Sequence, residues 1–185
     1  LLGTIEPVFK PLPTRPGWAY SIKPSSNAGF LAASRLQAAN IPIYRASDWF
    51  EVNGQEYAPG SWLIVATDET ESILETVAVE TGLVVQGIDE PVTVAGHRLR
   101  DSTRVGLWRA ANNMPGGWML WLFEQYELNH TIISSTDFDG ALSEKYDVIV
   151  LPSGTSRRSI VEGLNPERHD EIWRWAFGVG QDGWL

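Results

Sequence analysis

The sequence predicts an α/β protein: β-α-β units with an inserted β-hairpin, the second half forming an incomplete open sheet. Two observations lead there. Between Arg104 and Gly154 come a strand (Val105 to Trp108), a turn rich in Asn, Pro and Gly (Asn112 to Gly117) and a helix (Trp118 to Glu127). A strand (Thr131 to Ser134), a connector and a buried strand (Asp147 to Leu151) follow, which is the order of an open α/β sheet. Upstream, residues 18 to 87 alternate short apolar runs with helical spacing in the same way, interrupted by one strong hairpin signal.

Each element has a local reason. Pro7, Pro11, Pro13 and Pro16 each remove a donor and fix φ, so residues 1–17 read as an extended lead-in. A strand is expected from Trp18 to Ile22, then turn and N-cap residues from Pro24 to Asn27. A helix follows from Ala28 to Asn40, stopped by Asn40 and Pro42, and a strand from Ile41 to Arg45. Asn53-Gly54, between Phe50-Glu51-Val52 and Gln55-Glu56-Tyr57, predicts a two-residue hairpin turn, since both residues tolerate positive φ. Pro59-Gly60 turns the chain into a strand from Trp62 to Ala66. Thr67 or Asp68 can cap a helix over Glu71 to Thr81, whose Ile73, Leu74, Val77 and Ala78 form one apolar face. Gly82 ends that helix, Leu83 to Gln86 forms a buried strand, and a short edge strand is expected at Val92 to Ala95. Polar residues from Arg98 to Thr103 divide the chain into a domain over residues 18–100 and a segment over 101–185. Beyond Leu151, Asn165-Pro166-Glu167 reads as a helix start with Ile172, Trp173 and Ala176 on its apolar side, and Gly178, Gly180 and Gly183 break it. No strand signal follows, so the second half reads as truncated unless the first unit's sheet completes it, and the chain reads as a piece excised from a longer protein.

Composition removes several function classes. The formal net charge of -9 opposes a nucleic-acid partner, which requires clustered cations, and Arg157-Arg158 is too small a cluster to reverse that. No apolar run approaches the roughly 20 residues of a membrane span. With no cysteine, thiolate metal sites, disulfides and Cys nucleophiles are excluded. Leu1-Leu2-Gly3 lacks the features of a signal peptide. His97, His130 and His169 sit in no H-x-x-E, H-E-x-x-H or H-x-H pattern, so no metal site is expected. Asp137 and Asp139 read as connector caps, Asp147 as the start of a strand, and no carboxylates pair as acid and base.

The feature with most chemical content is Asn112-Asn113-Met114-Pro115-Gly116-Gly117, a glycine-containing loop that opens a helix and so offers backbone N–H groups to an anion. It lacks the spacing of G-x-G-x-x-G and the lysine of a P-loop, and a plain β-α turn accounts for it as well. If a ligand binds there, Arg109, Asn112, Asn113, Gly116 and Gly117 are the candidate contacts. Ser153, after the last buried strand, lacks the G-x-S-x-G elbow, so a strand-end turn is expected rather than a nucleophile. Nine tryptophans include Trp108, Trp118 and Trp121 within one β-α unit, at apolar positions that predict core or interface packing.

Val105-Gly106-Leu107-Trp108, Asn113-Met114-Pro115-Gly116-Gly117-Trp118 with Trp121-Leu122 and Glu124-Gln125-Tyr126, and Tyr146-Asp147-Val148-Ile149-Val150-Leu151-Pro152 occur in an order that resembles the C-terminal region of large bacterial zinc carboxypeptidases of the carboxypeptidase A-like family. Phe50 to Ile64 resembles the hairpin that precedes it there. The resemblance implies an exported protein, extracellular or periplasmic, whose zinc and catalytic residues lie in an upstream domain absent from this chain. It also implies that the second half is similar to flavodoxin-like and class I glutamine amidotransferase folds, without being an amidotransferase. Pro115 and Gly116 stand where family members often carry acidic residues, and no catalytic residue carries over. The expectation is a non-catalytic accessory segment with no cofactor of its own. Its partners would be the upstream peptidase domain and a peptide substrate, with no nucleic acid and no membrane. The alternative is a small-ligand, carbohydrate or anion-binding module at Asn112 to Gly117.

Overall fold

The protein is an α/β chain of two compact units, Leu1–Ser102 and Thr103–Leu185. The structure, a computed structural model, describes residues 10–108, 114–134, 137 and 140–155. The stretch expected to form a helix after Asn165 lies outside them.

The first unit runs β1 (Ala19–Ile22), α1 (Ala28–Ala38), β2 (Ile43–Ala46), β3 (Phe50–Val52), β4 (Gln55–Tyr57), β5 (Trp62–Val65), α2 (Asp68–Thr81), β6 (Val85–Ile88) and β7 (Gly96–Arg98). Five strands form one sheet in the order β6-β1-β5-β2-β7, and every neighbouring pair is antiparallel. The two crossovers are therefore split. β5 lies between β1 and β2, and β1 lies between β5 and β6, the arrangement of a β-α-β-β-α-β unit with interlocked halves.

Strand register assigns the two faces. Tyr20, Ile43 and Ile64 are neighbours across strands, as are Ile22, Trp62 and Val85, so these six share one face. α1 lies against it. Its Phe30 meets Trp62 edge-on at 5.4 Å, and a Cβ on Gly29 would stand 3.3 Å from the Ile22 methyl. α2 buries Leu74, Val77 and Ala78, and Arg35 of α1 pairs with Glu80 of α2 at 2.8 Å. The termini of α2 are closed by local chemistry. Thr67 Oγ1 accepts from the Thr70 backbone N–H, and Gly82 takes the left-handed conformation (φ +72°) while its N–H donates to the Ala78 carbonyl.

The opposite face is covered in part by the insertion. β3 and β4 pair Phe50 with Tyr57 and Val52 with Gln55 through Asn53 (φ +51°) and Gly54 (φ +75°), the two positive φ values of a type I′ turn. Phe50 stacks on Tyr57 at 4.7 Å, and Tyr57, Leu63 and Ile88 form a buried cluster with Trp18, Val52, Val92 and Val94 against it.

Three local expectations are corrected. The edge strand is Gly96–Arg98, not Val92–Ala95. Val92 and Val94 pack onto the cluster beneath the hairpin, while Gly96 pairs with Ala46 so closely that a Cβ there would lie 2.6 Å from the Arg45 carbonyl oxygen. β6 is Val85–Ile88 rather than Leu83–Gln86, because Trp18 N–H donates to the Ile88 carbonyl and β1 extends the pairing to that end. Asn27 precedes α1 without a side-chain capping bond.

The second unit comprises β8 (Val105–Trp108), α3 (Met114–Gln125), β9 (Thr131–Ile133), α4 (Leu142–Lys145) and β10 (Val148–Val150). The strands are parallel in the order β10-β8-β9. α3 begins at Met114 rather than Trp118, so Pro115, Gly116 and Gly117 belong to its first turn, where a missing proline N–H costs no helical hydrogen bond. The connector before β10 contains the short helix α4.

Burial holds the Tyr57 phenol above its ordinary value near 10, and Tyr20 is shifted the same way by burial and by Glu71, with Arg15 opposing. The folded chain keeps protons that the unfolded chain releases first. Stability is therefore full below about pH 10 and falls as pH rises through the raised folded-state values. Thermal melts on either side of about pH 10 should show a smaller alkaline loss for Tyr57→Phe than for the parent chain; an unchanged loss would show that Tyr57 is not coupled to folding.

Candidate functional site

In an open parallel sheet, ligands bind outside the C-terminal ends of the strands, where successive connections leave in opposite directions. Here that point lies between β8 and β10, because the chain moves from β8 to β9 on one side and returns to β10 on the other. Val150 and Leu107 are register partners at this edge. Leu107 and Trp108 are buried at 0% and 1% exposure, so the end of β8 is a fixed platform.

Two described segments come after β8 and β10. One is the first turn of α3, where Gly116 is buried and Gly117 is exposed. Arg109, Asn112 and Asn113 lie outside the described residues, so of the predicted contacts the structure places Gly116 and Gly117. The other segment is Leu151 to Thr155, in which Gly154 adopts φ +90° and the Thr155 N–H donates to the Pro152 carbonyl at 3.2 Å. Thr155 Oγ1 is buried without a hydrogen-bond partner. At the end of β9, Asp137 accepts from both the backbone N–H and the hydroxyl of Ser134, at 2.7 and 3.0 Å, in the capping role its sequence position suggests.

The opposite end of the sheet is held by an ion pair. Arg104 donates from Nε to Asp147 Oδ2 at 3.1 Å and from its terminal nitrogen to Oδ1 at 2.9 Å, a two-pronged clamp that fits a planar guanidinium to a carboxylate. The same carboxylate accepts from the Arg104 backbone N–H at 2.8 Å, and the guanidinium also reaches the Glu144 carbonyl. Hydrogen bonding to Asp147 pushes the Arg104 pKa up, against a smaller opposing effect of burial. The clamp ties the starts of β8 and β10 together, and a structural role accounts for it.

The remaining candidates do not converge. His130 is bonded to the Leu128 carbonyl at 2.8 Å, and His97 faces the Ser47 hydroxyl at 3.4 Å. His169 lies outside the described residues. Among the described residues no histidine bonds Ser153, and no group of three or more His, Cys, Asp or Glu side chains gathers at one point. A cleft of about 220 Å³ lies on the first unit's hairpin-bearing sheet face, lined mainly by Trp18, Tyr44, Leu63, Val65, Val92 and Val94.

The tryptophans part company in a way periodicity does not reveal. Trp108 is core, but Trp118 is 62% and Trp121 48% exposed, with Met114 at 77% and Leu122 at 37%. These four, at positions i, i+4, i+7 and i+8, form one apolar stripe on α3, and Trp118 meets Trp121 edge-on at 6.0 Å. Gly116 is the one α3 residue that is buried. No helix among the described residues is long and apolar enough to cross a membrane.

Comparison with protein-family models, with curated proteins and with solved structures finds no match in any of the three.

The contrast among the tryptophans sets a stability test. Trp108→Ala should cost about 3–5 kcal/mol in chemical denaturation, whereas Trp118→Gln should change stability by no more than about 0.5 kcal/mol. Equal losses would mean that α3 buries Trp118 in solution.

Proposed function

We propose that this chain is a non-catalytic accessory segment of an exported zinc carboxypeptidase-like protein. It packs against, or presents peptide to, a peptidase domain carried elsewhere on the same polypeptide, where zinc and the catalytic groups reside. The observation that carries this reading is the exposed stripe of Met114, Trp118, Trp121 and Leu122. Contiguous exposed aromatic and aliphatic surface of this kind marks protein contacts, and Trp is among the residues enriched at their energetic centres. The motifs that carry the family resemblance support it by falling on β3–β4, β8, α3 and β10. The order β9-β8-β10 is that of the first three strands of a flavodoxin-like sheet, in keeping with the amidotransferase-like reading of this half.

The reading requires the isolated chain to be inert. After incubation with zinc chloride and dialysis, elemental analysis should find metal well below one equivalent, and a blocked dipeptide should keep its C-terminal residue. Stoichiometric zinc, or release of that residue, would overturn it.

The geometry at the switch point favours a second reading, an anion-binding module. α3 follows β8, with Gly117 exposed in its first turn, and Thr155 follows β10, so chain order puts both after the C-terminal ends of the strands that flank the switch point. Titration with inorganic phosphate should then shift the backbone amide resonances of Gly117 and Thr155 together and saturably. Shifts spread evenly over the chain, or none, would remove this reading.

A further inference from the structure

We draw no further inference here: the strongest candidate, the apolar cleft on the first unit's sheet face bounded by Trp18, Tyr44, Val65 and Val92, carries nothing because no feature of the structure shows what covers it.

Discussion

A parallel sheet requires cover on both faces, and among the described residues of the second unit the central strand meets that requirement most fully. In β8, Gly106, Leu107 and Trp108 are buried, while Ile132 in β9 and Val148 in β10 are each 46% exposed. Packing at the centre is close. A Cβ on Gly106 would lie 2.9 Å from Ile133 Cδ1 and 3.2 Å from the Tyr146 ring, so glycine is what lets the chain after α4 sit on the strand. Ile133 of β9 is buried, but Ile132, Val148 and the outer side of α3 remain apolar and exposed. An uncovered hydrophobic stripe of this kind is a cost in water unless another surface takes it up, and the functional reading rests on that physical point.

The first unit carries cover of its own on both faces, although a cleft on the hairpin-bearing face stays open, with Tyr44 43% and Val65 46% exposed. Its antiparallel sheet has α1 and α2 on one face and the β3–β4 hairpin on the other, with Tyr57 acting as the wedge that joins the hairpin to Leu63 and Ile88. The N–H of Leu99 bonds the Ile43 carbonyl, and that of Ser47 bonds the Ala95 carbonyl, so the strap bearing Val92 and Val94 is tied to β2 at the β7 end. The proposed interaction surface lies instead in the second unit, on the exposed apolar stripe of α3.

Local chemistry was legible in the sequence wherever a single residue decides the backbone. Asn53-Gly54 specified the hairpin and its register, Gly82 the end of α2, and the alternation of apolar runs the α/β class, whereas the start of α2 was left between Thr67 and Asp68 as cap and the helix, expected from Glu71, begins at Asp68. Non-local choices were not legible. Nothing in β1, β2 or β5 alone says that β5 inserts between the other two, because that order is settled by which faces α1 and α2 must cover. Gly96 as the strand residue in place of Val92 follows from a close approach to Arg45 that exists only in the folded sheet. α3 shows the limit most plainly. Its apolar residues left core and interface packing open as alternatives, and within the described residues Trp118 and Trp121 are not core. The switch point between β8 and β10 was equally hidden, since it depends on strand order and not on any motif.

The central proposal is that the outer side of α3 is a contact surface for a peptidase domain. Acrylamide quenching of the fluorescence of Trp118 and Trp121, each isolated by replacing the other with Phe, tests it most directly when this chain is compared with a longer polypeptide bearing the proposed peptidase domain. Strong quenching of both in this chain and marked shielding in the longer polypeptide is the predicted result. Equal quenching in the two would contradict the account, because α3 would then face water with no partner to cover it.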